Sequence, residues 1–224
     1  MTVVPTSTDL RTQFDADGFV FPLRVLADEE VVRYRSAAEG QLDGAATTHR
    51  LHLDTRWGRE LASHPAIVEA VEDLAGGPVR IWGTLVLRKE PRSDAYVSWH
   101  QDSAYRTIGS DELFSAWIAL TDSSAVNGCM RAIPGSHHRR LVHINGSDGQ
   151  NLLSHGQQIV GEIDDDHAID LVLRAGEMSL HHIDVVHSSA PNRSDAPRLG
   201  FVVRYVRAGF PWSEWPLVDP RESC

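Results

Sequence analysis

Cysteine is scarce: of 224 residues, only Cys129 and Cys224 carry thiols. Two are too few for a disulfide framework, which fits a reducing compartment, and they do not form a metal-ligand pair. Long apolar runs are missing as well. None approaches the roughly 18 residues of a membrane-spanning helix. The opening MTVVPTSTDLR has neither the basic n-region nor the apolar h-region of a secretory signal. The expected location is therefore cytoplasmic, with no membrane partner. Basic residues are in deficit: 21 Lys and Arg stand against 31 Asp and Glu, a formal net charge of −10. That balance argues against nucleic acid, whose phosphates need a basic face, and disfavours docking to an acidic carrier protein. No internal repeat or linker-like composition interrupts the chain, so residues 1–224 are expected to form one domain.

What the chain does have is an ordinary globular composition, 42% hydrophobic and 23% charged, with twelve histidines. Its first third reads helical. TDLRTQFDADG starts on capping residues and stops at Gly18, ADEEVVRYRSAAEGQL is acidic in its first turn, and HPAIVEAVEDLAGG repeats apolar residues at helical spacing before two glycines. Three short helices are thus expected before the main sheet. From Val79 the period moves towards two: VRIWGTLVLRKE, LFSAWIALTD, GCMRAIPG, AIDLVLRAG, EMSLHH and RLGFVVRYVR read as strands separated by turn residues. Six or more short strands imply a sandwich or barrel. Between them, residues 142–166 are polar and lack sustained periodicity, the composition of a long loop and a candidate lid.

The stretch VSWHQDSAY carries the chemistry. Along a strand, residues two apart share a face, so Ser98, His100 and Asp102 are expected to point one way and Val97, Trp99 and Gln101 the other. Two histidines and one carboxylate, with one histidine coming from a facing strand, make the facial ligand set that suits non-heme Fe(II) and leaves further positions open. The His-x-Asp tripeptide occurs three times, however, at His52-Asp54, His100-Asp102 and His182-Asp184. His182, Asp184 and His187 even form a compact competing set, although one short stretch would have to bend round a single ion. The second half of the pattern favours His100 and Asp102. His187 is followed eleven residues later by Arg198, with enough turn chemistry between Pro191 and Pro197 to reverse the chain. Arg198 then starts a strand antiparallel to the one carrying His187 and Ser189. Its guanidinium, a fork shaped for a carboxylate, comes within reach of anything bound near His187.

The segments WHQD, NGCMRAIPGSH, HSSAPN and APRLG, taken in order, resemble the phytanoyl-CoA dioxygenase superfamily of Fe(II)/2-oxoglutarate oxygenases, including its bacterial hydroxylase and halogenase-like branch. The similarity runs from about Phe14 to Tyr205. It implies a mainly β fold with flanking helices, a double-stranded β-helix of the jelly-roll, cupin-like kind. It also implies Fe(II), 2-oxoglutarate and O2 as cofactors, with ascorbate a helpful reductant. Carried over by motif, His100, Asp102 and His187 become the iron ligands and the catalytic centre. Arg198 becomes the partner of the 2-oxoglutarate C5 carboxylate, with Ser189 in support. Trp117 and Thr84 become further cosubstrate contacts, and His49 or Arg50 supplies a basic group near it. Halogenating relatives have a small residue where this chain has Asp102, so the resemblance implies hydroxylation of a small-molecule substrate.

Arg204 lies six residues beyond Arg198, so both are expected to face inward while Phe201, Val203 and Tyr205 face the helices. An inward arginine needs an anion, and two readings stand: a salt bridge to one of the acidic residues, or a hold on a substrate carboxylate. His137 and His138 read as structural, and Trp99 as core. Trp212 and Trp215 would cap the barrel or an interface. Two rival functions are a cupin-like metalloenzyme without oxygen chemistry and a jelly-roll binding module that has lost catalysis. Arg198 and Ser189 beside His187 argue against the first, and the intact triad against the second.

Overall fold

The computed structural model describes residues 7–42, 44–105, 113–146, 148–210 and 216–221. Trp212 and Trp215, assigned a capping role from sequence, lie outside the described residues. The chain runs α1 (Ser7–Asp17), β1 (Phe19–Arg24), α2 (Asp28–Leu42), β2 (Thr47–His49), α3 (Leu51–Asp54), α4 (Arg56–Ala62), α5 (Pro65–Ala75) and β3 (Val79–Lys89). It continues through β4 (Val97–His100), β5 (Leu113–Ala119), β6 (Met130–Ala132), β7 (His143–Ile144), β8 (Gln158–Ile159), β9 (Ile169–Leu171), β10 (Glu177–His182), β11 (His187–Ser189) and β12 (Arg198–Arg207).

Two antiparallel sheets form the core: a six-stranded sheet ordered β1-β10-β5-β12-β3-β2 and a four-stranded sheet ordered β4-β11-β6-β9. The fold is mainly β, a double-stranded β-helix with helices on one face. Strand alternation divides the large sheet. Val86, Phe114, Ile118, Phe201, Val203 and Tyr205 point outwards into the helices, while Leu85, Trp117, Ala119 and Val202 point towards the second sheet. The outward face meets α5, whose Ile67, Val68, Val71, Leu74 and Ala75 form one buried stripe. Pro65 opens that helix, and Gly76 closes it in the left-handed conformation, φ 70°. Each of the large side chains so buried contributes about 1.5–3 kcal/mol. Tyr205 also needs a partner for its hydroxyl, and donates to Ala62 O at 2.7 Å.

The N-terminal third departs from the three-helix expectation. Five α-helices occur among the described residues, and β1 and β2 are interleaved with them as the two edge strands of the large sheet. Pro22 weakens the strand signal of FVFPLR, and an edge is where a strand tolerates proline. β2 has only three residues, too few to show alternation. Residues 142–166 are not a free loop either. β7 and β8 pair as a hairpin, and Tyr96 N donates to Gln150 O while Leu152 N donates to Tyr96 O, at 3.0 and 2.9 Å, stitching the segment to the approach of β4. Among the described residues, no helix is long and apolar enough to cross a membrane.

Candidate metal centre and carboxylate pocket

Between the two sheets lies a cavity of about 260 Å³. His100 and His187 stand side by side on one wall of it as a cross-strand pair of β4 and β11, with ring centroids 4.1 Å apart. The strand does not carry Asp102 in register, as simple alternation required. It ends at His100, and Asp102 opens a 3-10 turn, Asp102–Tyr105. β4 is also bulged. His187 pairs with His100 and Ser189 with Val97, so Ser98 and Trp99 lie opposite Ser188 alone. In consequence Val97, not Ser98, lines the cavity beside His100, and the Ser98 hydroxyl turns away to donate to Gln157 O. Gln101 fixes the turn. Fully buried, it donates to Arg139 O at 2.8 Å and Asp184 O at 2.5 Å and accepts from Leu141 N at 2.8 Å.

The turn still delivers the carboxylate. His100, Asp102 and His187 each present one ligand atom, all within 4.8 Å of one another, and form the one such group among the described residues. His100 Nδ1 faces only carbonyl oxygens, Ser98 O at 2.9 Å and His187 O at 3.1 Å, and His187 Nδ1 faces Val185 O at 3.0 Å. Both Nδ1 atoms must therefore carry hydrogen, which leaves the Nε2 lone pairs for a metal. Asp102 is held by Ser115 Oγ, donating to Oδ2 at 2.9 Å, and by Arg204 Nη2, donating to Oδ1 at 2.9 Å. Ser115 and Arg204 are themselves cross-strand partners. Burial alone would raise the Asp102 pKa, but the charge of Arg204, with His100 and His181, holds it well below the usual carboxylate range. Burial, then His100 and His181, push the His187 imidazole well below its ordinary value. An ionised carboxylate and neutral imidazoles are what a divalent iron requires, so the donor set fits.

The other wall is cationic. Arg198, 2% exposed, donates from Nη1 to Gly128 O and to Ser189 Oγ at 3.1 Å, and its guanidinium carbon stands 5.2 Å from the Trp117 ring centroid. Its Nε has no partner. Directly opposite on β3 is Lys89, fully buried, its Nζ 2.9 Å from Ser189 O and 2.5 Å from Ser189 Oγ, with Ala190 O a third acceptor. Burial, then the Arg198 charge, push the Lys89 pKa down to about 6, and burial pushes Arg198 down to about 10. No described carboxylate pairs with either. Glycines make the closeness possible. Gly128, φ 72°, turns the chain so that its carbonyl meets Arg198, and a Cβ there would lie 2.0 Å from Ala190 O.

Of the residues expected from sequence, His100, Asp102, His187, Ser189, Arg198, Trp117 and Arg204 all line this cavity. One expectation needs correction, and one open choice is decided. Thr84 does not reach it: alternation along β3 turns Leu85 and Leu87 inward and Thr84 towards the helices, where its hydroxyl meets His52 Nδ1 at 3.0 Å. Of the two readings of Arg204, the structure shows the salt bridge, to Asp102, rather than the hold on a substrate carboxylate. Of His49 and Arg50, it is His49 that lines the cavity. The competing His-x-Asp pairs are structural. Asp184 pairs with Arg140 at 3.2 Å, and His182 packs on Phe14 and His137. Burial pushes His52 down to about 4. His137 stacks on His138 with centroids 4.0 Å apart, and Trp99 lies half-buried under the Arg131 guanidinium. Sequence reasoning missed Lys89 and His181. The alternation of β10 would have found His181, since Met178 and Leu180 face the helices and put it on the cavity side. Its Nε2 is 3.6 Å from Asp102 Oδ2.

A jelly roll with a facial two-histidine, one-carboxylate set and a buried cationic pocket beside it is the architecture of a cupin-like metal site that also binds an anion. The phytanoyl-CoA dioxygenase (PhyH) family matches residues 14–200, and the chain belongs to it. That family is one of 2-oxoglutarate-dependent non-heme iron oxygenases. A probable alpha-ketoglutarate-dependent hypophosphite dioxygenase from Stutzerimonas stutzeri is 30% identical over 159 residues, 68% of this chain and 52% of that protein. The non-heme monooxygenase ThoJ, solved in its apo form, is 32% identical with a TM-score of 0.75, covering 89% of this chain and 77% of its own. The epimerase SnoN, solved with Fe3+, alpha ketoglutarate and nogalamycin RO, is 27% identical with a TM-score of 0.75, covering 90% and 84%. This chain spans 52–60% of the length of the first curated relatives it matches.

Proposed function

We propose that this chain is an Fe(II)- and 2-oxoglutarate-dependent dioxygenase that hydroxylates an unactivated C–H bond of a small molecule in bacterial specialised metabolism. The observation that carries the reading is the pairing, across one cavity, of a facial ligand triad with a buried arginine that has no carboxylate partner among the described residues. His100, Asp102 and His187 would hold the iron, with Ser115 and Arg204 orienting the carboxylate. Arg198, supported by Ser189 and flanked by the Trp117 indole, would hold the distal carboxylate of 2-oxoglutarate. Iron and 2-oxoglutarate together supply, from O2, an oxidant able to take hydrogen from carbon, with succinate and carbon dioxide as co-products. The protein's own work is placement and exclusion of water. Leu152, Leu153 and Ser154, from the candidate lid segment, line the cavity together with the apolar Leu85, Leu87, Val97, Met130 and Val202, and would help to keep water from the metal. Asp102 favours hydroxylation over halogenation, because its carboxylate takes the position a halide would need.

The test is anaerobic. Fe(II) and 2-oxoglutarate added to the protein should give the weak visible charge-transfer band of a chelated 2-oxo acid, and Arg198→Ala should weaken that band at limiting cosubstrate. No band with the unmodified protein, or an unchanged titration in the variant, refutes the assignment. Succinate release across a panel of small molecules then identifies the substrate.

A further inference from the structure

Lys89 has no part in the scheme above, yet it is one of the largest fully buried side chains in the molecule. A buried ammonium without a counter-ion is costly, and among the described residues no carboxylate reaches it. Its three contacts are all oxygens of the Ser189–Ala190 segment, two of them on Ser189. Ser189 Oγ in turn donates to Gly128 O at 2.7 Å and accepts from both Lys89 Nζ and Arg198 Nη1. A hydroxyl has one proton and two lone pairs. With both lone pairs taken by the Lys89 and Arg198 donors, the proton is the only thing Ser189 can offer, and it can swing from the Gly128 carbonyl to an incoming anion.

We infer that Lys89 is a positioning residue that makes the pocket selective for a 2-oxo acid with a distal carboxylate: it fixes Ser189 as a donor, and as the carboxylate enters, its amine takes up a proton from solvent and adds a second positive charge behind Arg198. This rests on the 2-oxoglutarate reading. The anion supplies the charge that the two cations lack, and Lys89 acts on it through Ser189, since Lys89 itself does not line the cavity.

Lys89→Met removes the charge at similar volume. Anaerobic Fe(II) titrations of the charge-transfer band with 2-oxoglutarate and with 2-oxovalerate, the same five-carbon chain ending in a methyl, separate the outcomes. The half-saturating 2-oxoglutarate concentration should rise about tenfold to a hundredfold, the worth of one charge-assisted hydrogen bond. That for 2-oxovalerate should stay within about twofold, and Fe(II) affinity by chelator competition should not move. In a Ser189→Ala background the Lys89→Met effect should shrink. Equal weakening of both acids, or no change in either, overturns the inference and leaves the oxygenase assignment standing. No band with either acid in the unmodified protein overturns both. If Lys89→Met does not fold, Lys89→Gln, which keeps a donor to the carbonyls and loses the charge, is read in the same titrations.

Discussion

Gly200→Ala tests how tightly the carboxylate pocket is built. Gly200 sits on β12 beside the Trp117 indole, and a Cβ at that position would lie 2.2 Å from Trp117 Cζ2 and 2.5 Å from Cε2. Carbon atoms settle at roughly 3.5–4.0 Å, so the ring must retreat by about 1–1.5 Å or the strands must part. An indole is rigid, and this one meets both Gly200 and the Arg198 guanidinium, 5.2 Å from its centroid. Overpacking of this kind costs about 1–3 kcal/mol. For a chain of this size each kcal/mol lowers Tm by about 2–4 °C, so the variant should melt about 2–12 °C lower by scanning calorimetry. The damage should be local to the pocket: Fe(II) affinity unchanged, half-saturating 2-oxoglutarate raised, and the stabilisation by added 2-oxoglutarate reduced. A Tm within about 1 °C of the unmodified protein with an unchanged cosubstrate titration would refute the packing argument.

Three further outcomes are expected. Asp102→Ala should abolish Fe(II) binding and product formation with secondary structure intact by circular dichroism; product from that variant would mean another carboxylate serves the metal. His182→Ala and Asp184→Ala should both retain Fe(II) in a chelator competition, because their partners are Phe14, His137 and Arg140 rather than the triad. The Lys89 ammonium, pushed from 10.5 to about 6, gives the protein free of cosubstrate a pH signature. Between those values the unfolded chain holds more protons than the folded one, so stability should rise with pH across that window, and below about 6 the penalty is fully present. A calorimetric pH series should show that rise flattened in Lys89→Met; equal slopes would mean the amine stays charged in the fold.

The parts of the fold legible in the sequence are those where one period runs long enough to declare itself. β12 was expected as RLGFVVRYVR and spans Arg198–Arg207; the even spacing of Arg198 and Arg204 puts both on the cavity wall, with Phe201, Val203 and Tyr205 in the helix-facing core. Alternation misled where the backbone breaks it. The bulge in β4 and the 3-10 turn after His100 bring His100 and Asp102 together by a route that period-two reasoning does not contain. Thr84 was placed one residue out of phase with the inward Leu85 and Leu87. Lys89 was invisible for a different reason. A lysine at a strand end in RKEPR reads as solvent-facing, and it is pairing with β12 and contact with the end of β11, both distant in sequence, that hold it inside. Arg204 shows the limit of charge logic: the inward arginine was sound, but which anion it meets depends on the turn that swings Asp102 beneath it.

The two ends of the cavity ask for opposite things, and this narrows what can bridge them. At the triad end, two imidazoles and one carboxylate, oriented by Arg204, call for a metal cation that still has coordination positions to fill. At the other end, Arg198 and Lys89 call for an anion. His187 and Ser189 belong to the same strand, two residues apart, and two strand residues span about 6–7 Å. A single molecule satisfying both ends must therefore chelate a metal at its head and carry a carboxylate one short aliphatic chain away. 2-Oxoglutarate has that form, and a metal ion alone, or an acid without a chelating head, would leave one wall of the cavity electrostatically incomplete. The same reasoning separates this site from a purely structural metal site, which would need no buried cation pair beside it.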